Sequence, residues 1–163
     1  MNKIILFGLV LVIGLGFAQS EVPSYMQNQF NRAHCMHDIA WDTLEDDNDV
    51  QMYCDDDEEC IDYFAGLAEN TCEAMSDIEY HTYEETDPQE AAQAFMYMVA
   101  AFREFYSEFL MLGFDWALDY ENPGKAMGSV ISDYRSHMGD LMECYAEGGH
   151  DEEVESVSGL HLE

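Results

Sequence analysis

The 163-residue chain predicts an all-α fold, a four-helix up-down-up-down bundle carrying an acidic loop and an acidic C-terminal tail and stapled by disulfides. Three observations carry that expectation. Four segments repeat apolar residues at spacings of three and four, recognisable start and stop residues bound each one, and no segment sustains the alternation of a half-buried strand. Composition agrees, because 48% hydrophobic and 13% aromatic residues supply enough apolar surface to offset chain entropy in one domain.

The chain opens on a segment of another kind. Asn2 and Lys3 precede an apolar run of fifteen residues from Ile4 to Ala18, and Gly16-Phe17-Ala18 and Ala18-Gln19-Ser20 both fit a small-x-small cleavage pattern. The run falls short of the roughly 20 residues that cross a bilayer. Residues 1–18 are therefore expected to be a signal peptide cleaved near 18–20, followed by a single helical domain over 22–147 and a tail over 148–163.

The first helix is expected from about Pro23 to Leu44, with Met26, Phe30, Ala33, His37, Ala40 and Leu44 on one face. The second is expected from about Asp57 to Tyr80, where Ile61, Phe64, Ala68, Cys72 and Met75 form the stripe. Asp55, Asp56 and Asp57 suit the positive end of that helix. The third starts on Asp87-Pro88-Gln89-Glu90, a capping Asp with Pro at the first helical position and Glu three residues after the cap. Its face runs through Phe95, Met98, Phe102, Phe105, Phe109, Leu112, Trp116 and Tyr120, and Gly113 on that face marks a kink or a close helix approach. Asn122-Pro123-Gly124 turns the chain into the fourth helix, whose stripe is Met127, Ile131, Tyr134, Met138, Leu141 and Tyr145 before Gly148-Gly149. The connections are short enough to make sequential helices antiparallel neighbours. The longest and most charged, Glu45 to Asp56, is the expected functional loop.

Cys35, Cys54, Cys60, Cys72 and Cys144 are odd in number, so an exported chain keeps one thiol outside two disulfides. The stripe places Cys72 inward, where a link to Cys35 or Cys144 would staple the bundle. Sequence alone does not assign the pairing, and Cys54, in the acidic loop, is the most exposed candidate for the odd thiol and for a disulfide-linked homodimer.

Charge sets the partners. Thirty-five Asp and Glu face five Lys and Arg, a formal net charge of −30, and loss of Lys3 with the signal leaves only Arg32, Arg103, Lys125 and Arg135 as basic residues. Such a surface repels phosphate, which excludes nucleic acid and anionic membranes, whose binding draws on Lys and Arg. Cationic proteins or peptides, a receptor with a basic face, and cations are the partners it favours.

Eleven acids lie between Asp42 and Asp62. Within them Asp47, Asp49, Asp55 and Glu58 fall at positions one, three, nine and twelve of an EF-hand-like loop, although Met52 stands where the turn needs Gly, so low-affinity Ca2+ binding is the expectation. His34 and His37, one turn apart beside Cys35, could share a zinc or copper ion, but no second ligand pair accompanies them. No nucleophile elbow, phosphate-cradling glycine loop or His-Glu-x-x-His pair is present, so no catalytic residues and no resident cofactor are expected. Two functions remain. The first is a secreted, non-enzymatic interaction protein, an extracellular signal or packaging partner acting through its anionic surface. The second is a carrier of a small apolar ligand in a cavity lined by Met98, Phe102, Phe105, Trp116 and Met138.

Overall fold

Helices begin and end where side chains can satisfy the backbone groups that a helix leaves unpaired. A computed structural model describes residues 22–45 and 49–148, and every regular element in them is helical. The elements are α1 (Ser24–Glu45), the short α2 (Asp49–Tyr53), α3 (Glu58–Glu79), a π-helical turn (Tyr80–Glu84), α4 (Pro88–Leu118) and α5 (Pro123–Glu147). Residues 1–21, which include the expected signal segment, residues 46–48 and the tail from residue 149 lie outside the described residues.

The expected caps are present. Asp57 accepts the Glu59 N–H at 2.9 Å, and Asp87 accepts those of Gln89 at 2.9 Å and Glu90 at 3.2 Å, with Pro88 at the first helical position. Asn122 accepts the Lys125 N–H at 3.2 Å, and Gly148 closes α5 in the left-handed region at φ 84°. The end of α3 differs from expectation, because the chain widens there into a π turn in which the Glu85 N–H bonds the Tyr80 carbonyl at 3.1 Å.

Helix α1 packs against α3, α4 and α5, and α4 packs against α3 and α5, whereas the backbones of α3 and α5 make no close approach among the described residues. One core results. It takes Phe30 and Met36 from α1, Phe64 and Ile78 from α3, Met98, Phe105 and Phe109 from α4, and Val130 and Leu141 from α5. Phe64 meets Phe105 edge-on at 5.7 Å, a favoured aromatic geometry.

Part of the acidic connection folds onto the core. It forms α2, which buries Val50 and Tyr53 in the core. Tyr53 packs on Phe109 at 5.4 Å and Trp116 at 5.0 Å, and its hydroxyl donates to Asp133 Oδ2 at 2.7 Å. Burial, reinforced by that bond to a carboxylate, pushes the Tyr53 hydroxyl pKa well above the usual tyrosine value. A Cβ on Gly113 would lie 2.7 Å from Val130 Cγ1 and 3.1 Å from Tyr53 Cε2, so this glycine permits the close approach read from the sequence.

The disulfides correct the expected pairing. Cys35 joins Cys144, tying α1 to α5 with Cα atoms 5.9 Å apart, and Cys54 joins Cys60 across the turn before α3. Cys72, not Cys54, keeps the free thiol. The reason is a small rotation of α3: its buried line is Phe64, Leu67, Ala68, Thr71, Ala74 and Ile78, which leaves Cys72 half-buried at the edge of the stripe. Thr71 takes the inward place because its hydroxyl donates to the Ala68 carbonyl at 2.6 Å. Crosslinking residues 109 apart removes about 5 kcal/mol of unfolded-chain entropy, against about 2 kcal/mol for the six-residue separation.

Candidate functional site

On α1, Cys35, Asp38, Ile39, Asp42 and Thr43 follow spacings of three and four and so share a face. On α5, His137, Asp140, Cys144 and Glu147 do the same, with Glu143 beside them. The Cys35–Cys144 bond holds these faces together, and between them lies a cleft of about 440 Å³ lined by those ten residues. Five are carboxylates (Asp38, Asp42, Asp140, Glu143 and Glu147), and none is Lys or Arg.

The cleft has an ordered base. Thr43 is fully buried, with its hydroxyl 2.7 Å from both the Ile39 carbonyl and the Tyr106 hydroxyl. His137 is 5% exposed, packs on Phe109 at 5.5 Å and Tyr106 at 5.9 Å, and places Nε2 3.6 Å from Asp49 Oδ2.

Asp38 is the most constrained of the five acids. Its Oδ2 lies 2.7 Å from His34 Nδ1 and its Oδ1 2.9 Å from His37 Nδ1. Burial alone would raise its pKa, but the hydrogen bonds and charges of the two histidines outweigh it and hold the carboxyl well below the usual range. In return the hydrogen bond to Asp38 raises the His34 pKa against the opposing effect of partial burial. Asp38 therefore carries a fixed negative charge into the cleft. On the other side of α1, His37 Nε2 lies 3.2 Å from Cys72 Sγ.

The residues singled out in the sequence fall elsewhere. Asp47 lies outside the described residues; Asp49 opens α2 facing His137, Asp55 sits in a turn at φ 54°, and Glu58 starts α3. Among the described residues no three His, Cys, Asp or Glu side chains are placed to hold a metal ion, and His34 and His37 converge on Asp38 instead. Met98, Phe102 and Phe105 are buried in the core, Trp116 and Met138 pack against it, and none of the five lines the cleft.

His137 and the α5 acids are the residues that sequence reasoning missed. Asp140, Glu143 and Glu147 belong to a helix with charges all along its polar side, and only the Cys35–Cys144 pairing reveals which of them oppose α1. No described helix is long and apolar enough to cross a membrane, and two disulfides are compatible with an extracellular location. No family model, curated protein or solved structure matches this chain.

Proposed function

We propose that this is a secreted, non-enzymatic binder of basic proteins or peptides, which takes a lysine or arginine side chain of its partner into the α1–α5 cleft. The observation that carries the reading is a concave site with five carboxylates, one buried histidine and neither Lys nor Arg. Arg and Lys fit it because charge-assisted bonds to carboxylates are the strongest hydrogen bonds such side chains make, and a planar guanidinium can engage two acids at once. The formal net charge of −30 adds long-range attraction that speeds the encounter. Divalent cations such as Ca2+ compete weakly for the same acids.

The scaffold in this reading is an up-down-up-down bundle, supported by the short links between α3, α4 and α5 and by the packing of α1 and α4 across the core. Residues 1–18 direct export, and the thiol-disulfide complement suits that compartment.

The test is titration of the mature protein with an arginine-rich peptide at low salt. Neutralising the exposed α5 acids (Asp140→Asn, Glu143→Gln, Glu147→Gln) is expected to weaken binding by about 2 to 4 kcal/mol, at roughly 1 kcal/mol or more for each charged hydrogen bond lost. A charge-matched control, Glu90→Gln, Glu104→Gln and Glu121→Gln, removes the same charge far along the chain and should cost less than a quarter of that. Equal losses in the two variants would show attraction to the surface as a whole and no role for the cleft.

A further inference from the structure

Cys72 sits on the α3 side of α1, away from the cleft, and it is the one cysteine outside the two disulfides. Three side chains from two helices line up there. Cys72 Sγ is 3.2 Å from His37 Nε2, and His37 Nδ1 is 2.9 Å from Asp38 Oδ1. His34 Nδ1 lies 2.7 Å from the other Asp38 oxygen, an ion-pair contact that favours this orientation of the carboxylate. An ionised carboxylate on Nδ1 fixes the tautomer with that nitrogen donating, which leaves the Nε2 lone pair pointing at the thiol. Nucleophile, base and orienting acid are thus each within hydrogen-bond reach of the next, the relation that activates a thiol. The cluster is partly exposed, His37 at 26% and Asp38 at 28%, and Cys72 is half-buried.

The surroundings select the chemistry. Acyl transfer needs donors aimed at a developing oxyanion, usually backbone N–H groups. Cys72 lies in the interior of α3, where those N–H groups are used by the helix itself. Thiol–disulfide exchange has no such requirement, since charge passes from one sulfur to another along the line of attack. The local charge also selects the reactant. Glu69 and Glu73 flank Cys72 on α3, and Asp38 lies across from it on α1, so an anionic disulfide meets repulsion that a cationic one does not.

We propose that Cys72 is a thiolation site for small cationic disulfides, with His37 as its base and Asp38 as the positioning residue. The Cys72 proton moves to His37 Nε2 as Sγ attacks one sulfur of the small disulfide. A new S–S bond forms at Cys72, the reactant's own S–S bond breaks, and the departing thiolate takes the proton from the imidazolium. Cys72 is oxidised and the leaving sulfur is reduced by the same electron pair, so no further oxidant is needed.

Intact-mass measurement of the secreted protein mixed with cystamine tests this, with oxidised glutathione as the anionic counterpart. A single cysteamine adduct on Cys72 is expected, formed several-fold faster than the glutathione adduct at low salt, and absent from Cys72→Ser. His37→Gln keeps a hydrogen-bonding side chain but no base, and should slow the adduct roughly tenfold at neutral pH. Asp38→Asn should slow it less, because the imidazole remains. In denaturant the wild type and His37→Gln should react at equal rates, which separates activation by the fold from any general change in the thiol. An unreactive native Cys72, equal native rates in wild type and His37→Gln, or protein isolated as a Cys72-linked dimer would each overturn the assignment.

Discussion

Asp38 couples the two neighbourhoods on α1, since its carboxylate both lines the acidic cleft and anchors the imidazole that faces Cys72. Nothing in the sequence separates it from the rest of the 35 acids. Its part becomes visible only when His34, one helical turn earlier, and His37, its neighbour, are seen to grip its two oxygens. That grip has a pH signature. Folded His34 titrates above its ordinary value, so its stabilising contribution is fully present below about pH 6.5 and is lost as pH rises through the folded pKa. Asp38 runs the other way, contributing above about pH 4 and losing the contribution as pH falls through its lowered folded pKa. The pair is worth most between those limits. His34→Gln should therefore lower stability by about 0.5 kcal/mol near pH 5.5, a small figure because the His34 side chain is 44% exposed. Thermal melts of wild type and variant should converge by about pH 8.5, and comparing the two cancels the titration of the remaining acids, Glu79 near His34 included. A gap that stays constant across that range would mean the pair contributes through packing alone.

Elements were most legible where a cap coincided with a period. Asp87-Pro88 and Gly148 mark true helix ends, and the aromatic face of α4 is buried along most of its length. Helix α2 gave no such signal, because five residues are too few to show a 3.6-residue period, and its anchor Tyr53 is surrounded in sequence by acids and Cys54. The stripe of α3 was displaced for a different reason: Thr71 counts as polar in a pattern, yet it is fully buried once its hydroxyl bonds its own helix. That displacement carried Cys72 from an expected staple to a free thiol. Glycines show how much depends on the neighbouring element. Gly66 on α3 has open space where a Cβ would go, so Gly66→Ala should stabilise by about 0.5 to 1 kcal/mol through helix propensity. Gly113→Ala gains the same propensity but drives a methyl group to 2.7 Å from Val130, a fully buried β-branched side chain with little room to retreat. A net loss of about 1 to 3 kcal/mol is expected from that overpacking. Urea unfolding of both variants decides the matter, and a stabilised Gly113→Ala would show that α4 and α5 are free to separate at this crossing.

Across the whole molecule, a formal net charge of −30 opposes the compact state, and under the proposed function the same charge attracts a basic partner. Carboxylates crowd the cleft and the turn around Cys54–Cys60, so folding brings like charges together that the extended chain keeps apart. Covalent and apolar terms hold against this: one disulfide ties α1 to α5 beneath the cleft, and a shared core joins all four long helices. Salt should consequently act in opposite directions on stability and on binding. With a Debye length near 10 Å at 0.1 M, raising NaCl from about 20 to about 300 mM screens the repulsion between neighbouring acids, and the melting temperature should rise by about 3 °C, corresponding to roughly 1 kcal/mol in a domain of this size. Over the same interval the affinity for an arginine-rich peptide should fall at least about tenfold, because the attraction being screened is the one that binds it. Neutralising Asp140, Glu143 and Glu147 should flatten both slopes, since those acids contribute to the repulsion and to the attraction alike. Melting temperature and affinity that moved together with salt would place the stabilising charges and the binding charges on different surfaces, and the cleft would then owe its acids to something other than a basic partner.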